Sequence, residues 1–264
     1  MPDTPPFDKS ILEKLEALQA KYAAMGQDLN SYLDGLLHAD YLTYWDYINL
    51  DTLLSLQHPI TPFPDEEIFI IYHQITELYF KLALHEFQQL QHAEGMDSNV
   101  MLKRVNRVNR YFEALTHSFE IMVDGMDKEQ FLKFRMSLLP ASGFQSAQYR
   151  MIEIHSTSFD RLLKEEFREA HANHTPGDLV DLFDKIYWKA GAVELASGNK
   201  TLTLRQFEQK YDDTLMELAE NCFEGNLRSF WNNLGPGQQT DELRLALRWL
   251  DVNVNINWPL SHYK

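Results

Sequence analysis

Cysteine is nearly absent: Cys222 stands alone among 264 residues, so no intrachain disulfide and no cysteine-rich zinc site can form. Basic residues are outnumbered, 24 Lys and Arg against 39 Asp and Glu, for a formal charge of −15. Such a surface repels phosphate backbones and anionic lipid, which argues against nucleic-acid and membrane-surface partners. No apolar run approaches the roughly 18 residues that would cross a bilayer. The opening Met-Pro-Asp-Thr-Pro-Pro carries neither the basic stretch nor the apolar run of a secretory signal. With a lone thiol, the expectation is a protein of the reducing cytoplasm. Strand-type alternation, internal repeats and Ser/Gly linkers are also missing, and Gly (11) and Pro (10) are scarce. A single all-α domain over residues 1–264 is expected.

Helical spacing fills the chain between the few breakers. Ile11, Leu12, Leu15, Leu18, Tyr22, Leu29, Tyr32 and Leu36 recur at i, i+3/i+4 across residues 9–38, interrupted near Gly26. Asp51 is placed to cap a short helix through Leu56, and Pro59, Pro62 and Pro64 stiffen the connector that follows. Asp65 suits an N-cap, with Glu66 and Glu67 at the positive end of the dipole. Ile68, Ile71, Tyr72, Ile75, Leu78, Tyr79, Leu82 and Phe87 then trace one broad apolar face to about Leu90. Further helices are predicted over 97–122, 129–138, 147–170, 178–190 and 204–234, with a last one from about Thr240. The chain holds 16 Phe, 12 Tyr, 5 Trp and 10 His. Aromatic filling on this scale suits a plain core, and it also suits a helical bundle with a flat ligand between its helices.

Several site patterns are excluded by inspection. No histidine has a glutamate three residues before it, which removes the Glu-x-x-His pairs of di-iron bundles. His85-Glu86 begins like a zinc-protease motif, but position 89 is Gln. Phosphate-cradling Gly-rich loops and a Gly-x-Ser-x-Gly nucleophile elbow are missing, and covalent haem attachment needs two cysteines. Two features remain. Phe69 and His73 stack four residues apart on the apolar face of the 65–90 helix, where an imidazole must find a partner or stay neutral. A core histidine bonded to a carbonyl or carboxylate meets that requirement as well as a ligand-binding one. Arg135 lies among apolar neighbours just before a Pro-Ala-Ser-Gly turn (140–143). A guanidinium there suits bidentate binding of a carboxylate, or an ordinary ion pair with one of the many acidic residues.

Three blocks carry a resemblance. Leu-Thr-Tyr-Trp-Asp-Tyr-Ile-Asn-Leu-Asp-Thr-Leu-Leu-Ser-Leu-Gln (42–57) looks like the N-terminal signature of tryptophan 2,3-dioxygenases. Phe-Ile-Ile-Tyr-His-Gln-Ile-Thr-Glu-Leu-Tyr-Phe-Lys-Leu (69–82) and Ser-Gly-Phe-Gln-Ser-Ala-Gln-Tyr-Arg-Met-Ile-Glu (142–153) resemble the same family, in its order. The likeness is close over about 40–155, weak from 156 to 240, and returns at Trp258-Pro-Leu-Ser-His262.

The resemblance implies a helical homotetramer with one haem b per subunit in a pocket between helices. It implies insertion of both atoms of O₂ across the indole C2–C3 bond of L-tryptophan, giving N-formyl-L-kynurenine, the entry to tryptophan catabolism. Residue by residue, it makes His262 the iron ligand and His73 the distal acceptor of the indole N–H. Phe69 would pack on the indole, with Ile70, Ile71 and Tyr72 in the same pocket segment. Arg135 would pair with the substrate carboxylate. Phe131 stands where some members have a Tyr, one hydrogen bond fewer with the ring packing kept. Tyr44, Tyr47 and Ile48 match positions that reach into a neighbouring subunit's pocket. Family members continue past this histidine with a Gly- and Thr-rich loop, whose threonine helps bind the ammonium, and a further helix; the same continuation is expected beyond Lys264. A haem-dependent aromatic hydroxylase or tailoring enzyme on the same scaffold, and a non-catalytic haem-binding helical module, are the competing readings.

Overall fold

Side-chain caps open most of the helices. Asp28, Thr43, Asp97, Ser146, Thr201, Asn226 and Thr240 each accept from a backbone N–H of the first turn they precede, answering donors that have no partner inside a helix. The computed structural model describes residues 8–39, 42–93, 95, 97–135, 145–192 and 199–262. Among them there is no strand, only isolated bridge positions such as that between Leu163 and Ile186, so the fold is all-α as expected. The chain forms two compact units, residues 1–57 and 58–264.

The first unit holds α1 (Lys9–Ala24), α2 (Leu29–Leu37), α3 (Tyr44–Tyr47) and α4 (Leu50–Leu53). Gly26, at φ +67, makes the left-handed turn between α1 and α2, and Tyr22 meets Tyr32 across it at 4.6 Å. None of these four helices has a fully buried residue. The short helix expected from Asp51 to Leu56 instead begins at Leu50, behind Asn49 in the left-handed region.

The second unit is built on α5 (Asp65–Gln91) and α6 (Ser98–Ser118), two long helices packed side by side. It continues with α7 (Glu120–Val123), α8 (Lys128–Arg135), α9 (Ala147–Ser156), α10 (Glu165–Arg168), α11 (Leu179–Phe183), α12 (Tyr187–Ala190), α13 (Leu202–Asn221), α14 (Leu227–Asn233), α15 (Asp241–Val252) and α16 (Trp258–Ser261). The buried face of α5 differs from the expected one. Tyr72, Thr76, Phe80, Ala83, Leu84, Phe87 and Leu90 enter the core, whereas Ile71, Ile75, Leu78 and Leu82 are exposed along an adjacent stripe. Periodicity alone marks an apolar face without saying what covers it. The predicted 147–170 and 204–234 helices each break, at Thr157-Ser158 and at Cys222–Gly225.

Helix α9 is buried on nearly all sides and separates two apolar clusters. Tyr149 and Ile152 join the cluster of α5, α6 and α15, while Ala147 and Ile154 join that of α11, α12 and α13. Its buried polar side chains find partners, although Arg150 Nε is left without one. Arg150 donates to Glu153 at 2.7 Å, and the Tyr187 hydroxyl also donates to Glu153. His155 Nδ1 lies 3.3 Å from Cys222 Sγ, which also accepts from Gln91 Nε2 at 3.1 Å. Burial lowers the imidazole to about 4 and raises the thiol to about 11, so this pair is neutral and no thiolate forms.

A pH dependence follows from His155. Its folded pKa lies below the ordinary 6.5, so the unfolded chain takes up the proton first as pH falls. The contribution to stability is full above about pH 6.5 and declines toward about pH 4, by on the order of 3 kcal/mol. His155→Gln is expected to flatten this part of the stability curve, read by urea unfolding at neutral and at about pH 5. An unchanged slope between those pH values would remove His155 as its source.

Candidate functional site

The start of α5 is where the site is assembled. Glu66 is buried and folds the proline-rich connector onto the helix, accepting from the backbone N–H groups of Ile60 (2.9 Å) and Thr61 (2.7 Å) and from the Thr61 hydroxyl. Those bonds hold its carboxylate below the ordinary range, the Thr61 hydroxyl contributing most. Asp65, expected as the N-cap, is the first helical residue and does a different job. Its N–H donates to Gln130 Oε1 at 3.2 Å and its carboxylate accepts from Asp127 N–H, which docks α8 against the first turns of α5. Docking brings Phe131 and Phe134 against Phe69, with ring centroids 6.3 and 5.7 Å away.

Phe69 then stacks on His73 at 4.0 Å. Its half-buried neighbour Ile70 and the exposed Ile71 share that turn, and buried Tyr72 touches His73 edge-on at 6.1 Å. The Tyr72 hydroxyl is held by the Leu115 carbonyl and Ser118 at the end of α6. His73 Nδ1 donates to the Phe69 carbonyl at 2.8 Å, which makes Nε2 the lone-pair nitrogen. Desolvation by the surrounding protein lowers the pKa of His73 most; the Phe69 bond opposes it, and smaller effects come from His262, which lowers it, and Glu77, which raises it. His73 is surface-exposed, and with its pKa below the ordinary 6.5 it is neutral at pH 7.

His262 closes α16 with the same local geometry. Its Nδ1 donates to the Trp258 carbonyl at 3.0 Å, leaving Nε2 for a ligand. The ring is flanked by Trp258 at 4.7 Å and Phe119 at 4.8 Å. Phe119 also meets Tyr72 at 6.0 Å and Trp258 at 5.8 Å, so it bridges the two histidines' surroundings. The structure thus joins Phe69, Tyr72, His73, Phe131 and His262 through one run of aromatic rings. Arg135 ends α8 exposed, its guanidinium 5.9 Å from the Phe131 ring, and it makes no ion pair among the described residues. The turn at 140–143 lies outside the described residues. Tyr44 and Tyr47 open and close α3 of the first unit, 71% and 75% exposed, with Ile48 capping it.

Sequence reasoning missed Phe119 and Trp258 as neighbours of His262. Trp258 carried a signal, four residues before His262 on a helix; Phe119, at the break between α6 and α7, carried none. Among the described residues no three His, Cys, Asp or Glu side chains converge as a free metal ion would require. A haem iron, by contrast, needs one imidazole nitrogen. His262 could offer one: its Nδ1 is already bonded to a carbonyl, the outer bond that ligating histidines commonly make, its Nε2 is left over, and aromatic rings lie on either side.

Residues 35–189 match the family model described as tryptophan 2,3-dioxygenase, more than half of the chain. The chain belongs to the tryptophan 2,3-dioxygenase family. It is 33% identical over 238 residues to the tryptophan 2,3-dioxygenase of Bacillus thuringiensis subsp. konkukian, covering 86% of this chain and 81% of that protein. The tryptophan 2,3-dioxygenase of Pseudomonas fluorescens is 39% identical over 232 residues, 85% of this chain and 78% of its own. That of Ruegeria sp. is 44% identical over 117 residues, an alignment spanning 44% of this chain and 41% of the relative. The tryptophan 2,3-dioxygenase match takes in every candidate residue from Tyr44 to Arg135, and His262 lies beyond it.

Proposed function

We propose that this chain is a haem-dependent oxidoreductase that opens the indole C2–C3 bond of L-tryptophan with O₂ to give N-formyl-L-kynurenine, the first step of tryptophan breakdown. The observation that carries the reading is a pair of imidazoles with the same local geometry. His73 and His262 each tie Nδ1 to the carbonyl four residues back, each offer Nε2, and lie close enough for their charges to interact. One Nε2 would hold the iron of haem b, and the other would accept the single N–H of an indole.

The roles of the remaining residues follow from their chemistry. Phe69, already stacked on His73, would pack against the indole, with Ile70, Ile71, Tyr72 and Phe131 forming apolar walls that exclude water. Arg135, free of carboxylate partners among the described residues, would pair with the substrate carboxylate and fix which way the amino acid enters. When bound, haem supplies the oxygen activation; the protein's share is position, orientation and exclusion of water. His73 has only to accept a hydrogen bond, so no proton need be removed by it. Tyr44, Tyr47 and Ile48 would complete the pocket of a neighbouring copy, which makes a homotetramer the working form, in the cytoplasm.

His73→Ala tests the distal assignment. Haem content should be unchanged and turnover impaired by about 10- to 100-fold, with clear residual activity. Complete loss of turnover in a folded, haem-loaded variant that still binds tryptophan would make His73 an obligatory base instead. The overall reading is tested by incubating reduced, haem-supplemented protein with L-tryptophan and O₂ and identifying the product by mass.

A further inference from the structure

Between Asp241 and Ser261 the chain runs as one helix, but residues Asn253–Asn257 form a π-turn inside it. Such wide turns absorb one extra residue and collect at functional places. Here the cause is visible. Ala246, Leu250, Val254, Trp258 and His262 are spaced four apart, and on an α-helix each such step drifts by about 40° around the axis. One wider turn cancels the drift and keeps Leu250, Val254 and Trp258 in the same core.

The turn has a defect that must be answered. Trp258 N–H donates to the Asn253 carbonyl, so the next N–H in line for the Val254 carbonyl is that of residue 259. Residue 259 is proline and has none. Val254 is buried, and an unpartnered buried carbonyl is costly. The Tyr149 hydroxyl, from α9, fills the place at 2.5 Å. Burial keeps that phenol above its ordinary pKa, so it remains a donor.

A second device pins the same turn. Asn257 Nδ2 donates to Asn253 Oδ1 (2.9 Å), Asn253 Nδ2 donates to Asn109 Oδ1 (3.2 Å), and Asn109 Nδ2 donates to the Ala246 carbonyl (3.0 Å). Asn109 and Asn253 are buried. This amide relay ties the π-turn to the middle of α6, the helix whose end presents Phe119 to His262. Tyr149 in turn packs on Phe80 of α5 at 5.5 Å, and the neighbouring Gln148 donates to the Glu77 carbonyl, also on α5.

We infer that Tyr149, Asn109, Asn253 and Asn257 are positioning residues for the iron-binding imidazole: they hold the π-turn that sets the rotation of α16 and thereby the direction of His262 Nε2. The inference rests on the proposed role of His262. The bond made directly to His262 is that of the Trp258 carbonyl, and partners of that kind commonly change metal affinity by about 10- to 100-fold; the four residues act on it through the turn that carries both.

Tyr149→Phe removes the donor and keeps the ring. Haem is expected to dissociate about tenfold faster, with the ferrous iron–histidine stretch moved to lower frequency, while circular dichroism stays as in the parent. The double variant Tyr149→Phe, Pro259→Ala restores an N–H beneath the Val254 carbonyl and should return both readouts most of the way. Asn257→Ala cuts the half-buried end of the relay and serves if the first variant does not fold; the same direction with a smaller change is expected. Parent-like dissociation and stretch in folded Tyr149→Phe or Asn257→Ala, or failure of Pro259→Ala to rescue the former, would overturn the inference. His262→Ala, measured alongside, separates the two levels: if it keeps the parent's ferrous spectrum, the assignment of His262 fails, and with it the inference.

Discussion

His262→Ala is expected to abolish tryptophan turnover and to leave the purified protein with little haem. In this run of aromatic rings only His262 and His73 are described with Nδ1 bonded to a carbonyl and rings alongside, and His73 is assigned to the substrate side. The fold should survive, because His262 sits exposed at the end of α16 and the core of α5, α6 and α15 is apolar without it. Haem stoichiometry and ferrous spectra provide the measurement, with circular dichroism as the folding control. Added imidazole should enter the space and restore part of the parent spectrum. A fully loaded variant with parental activity would mean that another residue holds the iron.

Arg135→Leu is the second large effect. An exposed guanidinium contributes little to stability, so unfolding should be almost unchanged. A bound substrate carboxylate would bury that guanidinium against Phe131, and losing a charge-assisted pair in a dry pocket costs about 2–5 kcal/mol. The expected result is a raised KM for tryptophan and a kcat/KM lowered by about two orders of magnitude or more. Steady-state kinetics at matched haem content decide it. Unchanged kinetics would remove Arg135 from the site.

The physical reasons for what could and could not be read in advance differ between residues. Phe69 and His73 announce themselves, since residues four apart on a helix must share a face. The all-α class and the starts of α6 and α15 were legible, with Asp97 and Thr240 each placing a carboxylate or hydroxyl before an apolar repeat, whereas the helix expected from 204 begins at Leu202, behind Thr201. The choice of face on α5 was not legible. Ile71, Ile75, Leu78 and Leu82 are as apolar as the residues that become buried, and only the partner helices select among them. Long-range links such as Asp65 with Asp127 and Gln130 join residues about sixty positions apart, with no local pattern to betray them. His262 illustrates the limit most clearly. A lone histidine four residues after a tryptophan is unremarkable as a sequence, and its setting depends on Phe119, Pro259 and a π-turn that only tertiary structure completes.

One measurement bears on the whole account. Reduced, haem-loaded protein is incubated with L-tryptophan under ¹⁸O₂, and the product is analysed by mass spectrometry with fragmentation. The account predicts N-formyl-L-kynurenine carrying both labelled atoms, one in the formyl group and one in the ring-opened ketone. A product with the indole intact and a single labelled hydroxyl would contradict it and assign the scaffold to hydroxylation; tryptophan recovered unchanged from a protein with a normal ferrous haem spectrum would contradict it as an enzyme of this reaction.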